Sequence, residues 1–303
     1  MIMSSDLPQM RIQAVCIGQE AARVLSRPLR GTILLISHKG WYIGFDSAVV
    51  LICDSAYGIV PIGVGVNGFE GCMSYDKALE GAPVEFSSGC LHLPVCSLDI
   101  SKAASAPVRP KACSPEKARE ALPCIREALY AHRKGYMYRL IPECCLLIQG
   151  CIPTAAGSED AYIRETCLRL SELFRALSSN NKVGIQDAVR SLIGLGPGLT
   201  PSADDWLAAF IYAALRLSFS PEINTTAEAI EAYSAERTNL ISAAYLKSSA
   251  AGDYYQLLDD ILLYNSPACA KRLLGIGSSS GADMLSGIYF AIEYSILHIT
   301  PLI

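Results

Sequence analysis

The segment SKAASAPVRPKACSPEK, residues 101–117, divides the sequence into two parts with different patterns. Its Ser, Ala, Pro and Lys content is typical of a linker. Short β-branched runs precede it, and apolar residues recur at helical spacing after it. Strands that come before helices, without alternation, predict an α+β fold: a β-rich N-terminal domain (1–105) and a mainly helical C-terminal domain (106–303).

Working back from this segment, the sequence predicts several strands. GTILLISHKGWYIGFD (31–46) is typical of a hairpin that turns at His38-Lys39-Gly40, with Gly40 supplying a positive φ. Further strands are predicted in SAVVLICD (47–54), IVPIGVGV (59–66) and SSGCLHLPVCSLDI (87–100).

Working forward, helix signals dominate. Ser114 followed by Pro115 predicts a capped helix start, and Pro123 interrupts the helical pattern that follows. Apolar spacing of three and four then predicts helices at about 158–179, 225–250, 253–264 and 267–274, the last ending at Gly275.

The composition excludes several function classes. The chain is 51% hydrophobic with a net charge of −4, and it has neither a Lys/Arg block nor an apolar run long enough for a membrane span. We therefore expect no nucleic-acid or membrane partner, and the N-terminus predicts no secretory signal. Its 12 cysteines are scattered without Cys-x-x-Cys pairs, so we expect free thiols in the cytoplasm and neither a metal nor a cofactor. The apolar surplus indicates a large core and a subunit interface, which is consistent with a homo-oligomer.

Two glycine-rich segments resemble each other: GLGPGLTPSADDWLAAFIYAAL (194–215) and GIGSSSGADMLSGIYFAI (275–292). Each begins Gly-x-Gly, passes through hydroxyl residues and enters an apolar helix. Ser202 with Asp205, and Ser280 with Asp283, have the Ser-x-x-Asp spacing that predicts capping boxes with Asp in place of Glu.

Two interpretations of these segments stay open. Helix N-termini carry unpaired N–H groups and a partial positive charge, so they are suited to phosphate or carboxylate. Equally, both segments are explained as ordinary capped helix starts. Asp204 has no capping role and is the carboxylate of greater functional interest, although a surface acid in a first helical turn is the simpler explanation.

The segments GLGPGLTPSADD, ERTNLISAAYLKSSAAG (236–252) and GIGSSSGADMLSG resemble the three signature blocks of a bacterial family that includes AllH, a subunit associated with oxamate carbamoyltransferase. The resemblance covers about 190–292. It departs from the family pattern at two positions, since Ala203 stands where the family has Gly and Ser278 stands where it has His. If that His has a chemical role in relatives, this chain has changed or lost the step.

The resemblance implies a transferase subunit that acts with FdrA-like and AllG-like proteins on carbamoyl phosphate, oxamate or phosphate. Because no Ser-His-Asp set is present, we expect catalysis by positioning and electrostatic stabilisation. A non-catalytic anion-binding, regulatory or structural subunit is the alternative. The resemblance implies catalytic roles for Asp204 and Arg237 and binding roles for a second set, with Arg237 and Thr238 placed inside a helix as a clamp. That second set is Gly196, Gly198, Thr200, Ser202, Thr238, Ser279, Ser280, Gly281 and Asp283.

Overall fold

The computed structural model describes residues 10–73, 75–107, 113–217 and 220–298, without the side chain of Cys72. The chain divides into two compact units: Met1–Val108 with Asp253–Gln256, and Arg109–Gly252 with Leu257–Ile303. Strands occupy the first unit and helices dominate the second, which confirms the α+β class. The domain boundary at 105–106 stays a prediction, and part of the predicted linker, 108–112, lies outside the described residues.

The described residues of the first unit form one sheet, two short helices and two 3₁₀ turns. The strands are β1 (Met10–Ile17), β2 (Leu29–Ser37), β3 (Gly40–Phe45), β4 (Ala48–Asp54), β5 (Gly63–Val66), β6 (Pro83–Ser87), β7 (Cys90–His92), β8 (Cys96–Asp99) and β9 (Ala104–Ser105). The helices are α1 (Gln19–Val24) and α2 (Phe69–Cys72), with 3₁₀ turns at Ser55–Tyr57 and Lys77–Leu79.

The sheet closes on itself. Its order is β5-β4-β3-β2-β6-β7-β8-β1, and β1 pairs antiparallel with β5, so β5 has a neighbour on both sides. The short β9 pairs parallel with β1. Closure removes the unpaired strand edge that would otherwise invite association. Alternate side chains point into an apolar core, in which Trp41 is completely buried.

Most strand predictions are confirmed, with three differences. The 31–46 hairpin forms as β2 and β3, but Gly40 has no positive φ because it lies in β3, and Ser37 Oγ accepts from the Lys39 and Gly40 N–H groups. The 59–66 strand is shorter than predicted. The 87–100 run is two strands, β7 and β8, rather than one.

The second unit consists of helices and two 3₁₀ segments, Met137–Glu143 and Thr154–Gly157. The helices are α3 (Pro115–Arg119), α4 (Leu122–His132), α5 (Cys144–Ile148), α6 (Ala161–Ser178), α7 (Lys182–Leu192), α8 (Ser202–Leu217), α9 (Pro221–Arg237), α10 (Leu240–Ala250), α11 (Gln256–Tyr264), α12 (Pro267–Leu274) and α13 (Ser280–His298). Among the described helices, none has the length and apolarity needed to cross a membrane.

Helices α8 and α13 pack against each other at the centre of this unit. Both are buried along most of their length, as expected of helices that are apolar on several faces. Trp206 of α8 stacks on Phe210 with ring centroids 4.9 Å apart and meets Phe290 of α13 edge to face at 5.5 Å. This aromatic packing fixes the two helices relative to each other, and with them the loops at their N-terminal ends.

One helix prediction is wrong. The 225–250 segment is two helices, because Thr238 and Asn239 are both extended between α9 and α10. The Asn239 side chain accepts from the N–H groups of Ile241 and Ser242, so it caps a new helix. Arg237 therefore ends α9, and Thr238 lies outside any helix.

Other helix starts follow the sequence. Ser114 caps α3 by accepting from Lys117 N, as predicted. Pro123 lies in the first turn of α4, where its missing N–H does no harm. The remaining predicted helices are α6, α11 and α12, of which α12 ends at Gly275.

Candidate functional site

The two glycine-rich loops meet in space. Thr200 Oγ1 and Ser280 Oγ lie 2.8 Å apart, within hydrogen-bonding distance. Thr200 precedes α8 by two positions, and Ser280 is the first residue of α13; both are partly exposed. The packing of α8 on α13 therefore brings both helix starts to one place.

Asp205 lies immediately beside this contact and is 4% exposed. Its Oδ2 accepts from Thr200 Oγ1 at 3.0 Å. Burial raises the pKa of Asp205 well above its usual range; the hydroxyl of Ser280 opposes that shift, and the nearby charge of Asp283 adds to it. The site thus holds a carboxyl group that readily keeps its proton.

Asp283 supports a different element from the one that the sequence predicts. It is completely buried, and its Oδ1 accepts from the backbone N–H groups of Tyr136 at 2.8 Å and Met137 at 2.9 Å. Burial raises the pKa of Asp283 to about 6; the two backbone donors and the hydroxyl of Ser202 oppose this shift. Asp283 therefore ties the start of the 3₁₀ segment Met137–Glu143 to α13.

The capping boxes predicted at both loops are wrong. The N–H of Asp205 donates to the carbonyl of Pro201, and the N–H of Asp283 donates to that of Ser279. Ser202 and Ser280 each occupy the first turn of their helix instead of a position before it. Backbone carbonyls thus accept the hydrogen bonds that the capping boxes would have given to side chains. The hydroxyl and carboxyl groups are left for other contacts.

Asp204 is 2% exposed, so the interpretation as a surface acid is wrong. Its Oδ1 accepts from Gly194 N at 2.7 Å and its Oδ2 from Thr238 Oγ1 at 2.5 Å. Asn239 Nδ2 also donates to the carbonyl of Leu199 at 2.5 Å. These contacts join the first loop to the α9–α10 junction and explain why both segments belong to one pattern.

Arg237 is exposed at the end of α9. Among the described residues, its guanidinium group makes no hydrogen bond or ion pair. Its backbone carbonyl packs so closely on Gly194 that a Cβ there would overlap it. The side chain thus lies at the margin of the group of residues around the Thr200–Ser280 contact. Its assignment as catalytic stays a prediction.

The glycines of the two loops play different parts. Gly196 has a φ of 123°, and a Cβ there would come within 2.7 Å of Ser202 N and 3.0 Å of Tyr162 Oη. Gly198 is exposed. A Cβ on Gly281 would overlap the carbonyl of Leu273, so that glycine serves the close approach of α12.

Most first-turn N–H groups of the two helices already have partners. Those of Ala203 and Gly281 donate to loop carbonyls, and the next two of each helix donate to Pro201 and Ser279. Ser278 is exposed. Among the described residues, no group of His, Cys, Asp and Glu has an arrangement that could hold a metal ion.

Where the two loops meet, the buried atoms Ser202 Oγ and Asp283 Oδ2 have no hydrogen-bond partner of standard geometry among the described residues. Tyr162 lies close to them, because the Ser202 hydroxyl influences its pKa. Burial raises the pKa of Tyr162, and the hydroxyls of Thr166 and Ser202 oppose this shift. Its ring meets Tyr136 edge to face, with centroids 4.9 Å apart. The sequence reasoning missed both tyrosines, because they lie outside the three signature blocks and only the tertiary packing brings them here.

The comparisons with known proteins support a family resemblance in the segment that contains the three signature blocks. No solved structure matches this chain. The three signature blocks lie inside one family match, which covers about a third of the chain. Residues 192–292 match the family model described as oxamate carbamoyltransferase subunit AllH, and the predicted resemblance of this chain to the AllH family is thereby confirmed over that segment.

Proposed function

We propose that this chain is a subunit of an oxamate carbamoyltransferase-like enzyme and binds small anionic substrates where its two loops meet. The observation that carries the proposal is the 2.8 Å contact between Thr200 Oγ1 and Ser280 Oγ. Both residues lie within the AllH match. The candidate ligands are carbamoyl phosphate, oxamate and inorganic phosphate.

The groups at this contact supply the donors that such ligands need. Thr200, Ser279 and Ser280 are partly exposed hydroxyl residues, and Gly196 and Gly198 let a ligand approach the backbone closely. We assign both loops to the substrate groups: the first loop with Ser202, and the second loop with Gly281 and Asp283.

The reaction in this proposal needs no covalent bond between substrate and protein, so the role of the protein is to position the substrates. The amide nitrogen of oxamate attacks the carbamoyl carbon, an N–C bond forms, the C–O bond to phosphate breaks, and the proton lost by nitrogen leaves with phosphate. Arg237 neutralises charge at the margin of the site. Asp204 and Thr238 act as positioning residues, because their mutual contact holds the first loop.

The AllH description names a subunit, so the proposal includes partner proteins. We assign FdrA-like and AllG-like subunits to this role. The isolated chain then binds substrate, and turnover requires the assembled proteins.

The test combines binding and turnover. The chain is mixed with FdrA-like and AllG-like proteins, and oxamate-dependent release of phosphate from carbamoyl phosphate is measured. We expect Thr200→Val and Ser280→Ala to lower this rate at least about tenfold. The control is Ser295→Ala, which removes a buried hydroxyl of α13 that bonds only to the Ala291 carbonyl.

Three outcomes separate the alternatives. Loss of rate in the two loop variants alone supports the proposal. A thermal shift with oxamate or phosphate but no turnover in the complete mixture supports a non-catalytic anion-binding subunit. Neither binding nor turnover in the wild-type mixture overturns both.

A further inference from the structure

Two buried atoms lie where the two loops meet: Ser202 Oγ and Asp283 Oδ2. Among the described residues neither has a hydrogen-bond partner of standard geometry, and both residues are 0% exposed. The neighbouring Asp283 Oδ1 has two backbone donors, and Asp205 Oδ2 has Thr200. Because a buried polar group without a partner is destabilising, this pair points to a missing third group.

The two atoms come from the two loops that meet. Ser202 opens α8, and Asp283 lies in the first turn of α13. The hydroxyl of Ser202 lies close enough to the Asp283 carboxyl to influence it, although burial has the larger effect and the two groups make no hydrogen bond of standard geometry. A group placed between them can bond to both.

Charge decides what kind of group this is. Asp204, Asp205 and Asp283 are all buried, and none of the ion pairs between described residues includes them. The first-turn N–H groups of both helices are mostly taken by backbone carbonyls. Asp283, whose pKa is about 6, is mostly ionised at pH 7, so a phosphate or carboxylate at this spot would be repelled in a medium of low dielectric constant. The third group is therefore uncharged and brings an N–H donor.

We infer that the Ser202 hydroxyl and Asp283 Oδ2 receive the carboxamide end, H₂N–C=O, of a small substrate. The substrate oxygen accepts from Ser202 Oγ, and its NH₂ donates to Asp283 Oδ2. This inference rests on the proposed function, in which carbamoyl phosphate and oxamate both carry such a group. The pair holds one such group at a time, and we assign it to oxamate. The anionic ends of both substrates remain for the partly exposed hydroxyls of Thr200 and Ser280 and for Arg237.

Oxamate and oxalate test the inference directly, since oxalate has a carboxylate where oxamate has the carboxamide. Both are titrated calorimetrically into the full-length chain. A site that hydrogen-bonds an N–H rejects an analogue without it, so we expect wild type to bind oxamate at least about tenfold more tightly. Ser202→Ala and Asp283→Asn should reduce this preference to within about threefold.

The variants are chosen to fold. Ser202→Ala removes a hydroxyl that makes no hydrogen bond of standard geometry within the described part of the chain, and Asp283→Asn keeps an Oδ1 acceptor for Tyr136 and Met137 while turning Oδ2 into a donor. Ser286→Ala, which removes another buried hydroxyl of α13, is the matched control and should keep the full preference.

The outcomes distinguish the two levels of the argument. Equal affinity for oxamate and oxalate in wild type, or a preference that survives in Ser202→Ala, overturns the inference and leaves the proposed function standing. Absence of binding of oxamate, carbamoyl phosphate and phosphate by wild type, with partner proteins present, overturns the proposed function and the inference with it.

Discussion

Thr200 and Ser280 share a hydrogen bond although 80 positions of sequence separate them: Thr200 Oγ1 and Ser280 Oγ lie 2.8 Å apart, and either hydroxyl can be the donor. Thr200 Oγ1 also bonds to Asp205 Oδ2 at 3.0 Å. The three side chains form a chain of hydrogen bonds from α13 through the first loop to a buried carboxyl group. Such a chain couples the two loops energetically.

This coupling is measurable by a double-mutant cycle with Thr200→Val and Ser280→Ala. Each single change should lower the free energy of unfolding by about 1 kcal/mol, and the double variant should lose less than the sum by about 0.5–1.5 kcal/mol. Urea unfolding followed by circular dichroism gives these values. The control cycle pairs Thr200→Val with Ser295→Ala and should be additive. Additivity in both cycles contradicts the contact.

A second prediction concerns Thr238 and the carboxyl of Asp204. Thr238→Val leaves Asp204 Oδ2 buried without its donor, which should lower the free energy of unfolding by about 1–3 kcal/mol. Thr225→Val is the matched control, because Thr225 Oγ1 donates to the Pro221 carbonyl within α9 and its loss leaves no buried charge. We expect that control to change stability by less than about 1 kcal/mol. Equal losses of unfolding free energy in the two variants would show that the Thr238 hydroxyl does not stabilise the Asp204 carboxyl.

The fold class could be predicted because periodicity is local. The local pattern within about twenty residues predicts the 31–46 hairpin, α6 and α12. Tertiary packing agrees with that local preference. The break at Thr238 was missed because the apolar spacing continues across it, whereas the Asn239 cap that stops the helix is a single side chain. Closure of the sheet depends on β1 meeting β5, a pairing that no local pattern encodes.

The candidate site could be predicted only as a set of residues. The shared pattern of the two loops indicates a pair, and the family resemblance indicates which side chains to inspect. What the sequence misassigned is the role of each carboxylate. A Ser-x-x-Asp spacing predicts a cap only if the helix begins after the Ser, but here each helix begins at the Ser itself. Asp205 and Asp283 are buried and take partners from elsewhere. Burial is a tertiary property, so the spacing could not reveal it.

A third prediction separates packing from ligand binding at Gly281. Gly281→Ala should lower the free energy of unfolding by roughly 1–3 kcal/mol, because the new Cβ overlaps the carbonyl of Leu273 and α12 must shift. Gly157→Ala is the control: its Cβ would meet nothing within 4 Å, and its φ is not positive. Thermal melts of the two variants give the comparison. A Gly281→Ala protein as stable as the control would show that α12 yields without cost.

The last prediction is a pH dependence set by Asp283. Its pKa is about 6 in the folded chain because burial disfavours the charged form, whereas an unfolded Asp titrates near ~3.9. Between about pH 4 and 6 the folded chain keeps a proton that the unfolded chain has lost, so stability falls as the pH rises through this window. The loss from this group is about 3 kcal/mol. Burial shifts the pKa of Asp204 and Asp205 in the same direction, so these two groups add to the fall in stability.

Asp283→Asn removes the titrating carboxyl group, so the stability of this variant should depend less steeply on pH. Urea unfolding at pH 4.5 and 7 measures the free energy of unfolding of both proteins. The range stops at 4.5 because Asp99 in the other unit acts with the opposite sign. The Ser101 hydroxyl and N–H, together with Arg11, lower the pKa of Asp99 to about 2, so its stabilising contribution is present above about pH 4 and disappears as the pH falls towards 2. Identical slopes in wild type and Asp283→Asn would show that the carboxyl of Asp283 has the same proton affinity in the folded and unfolded chain.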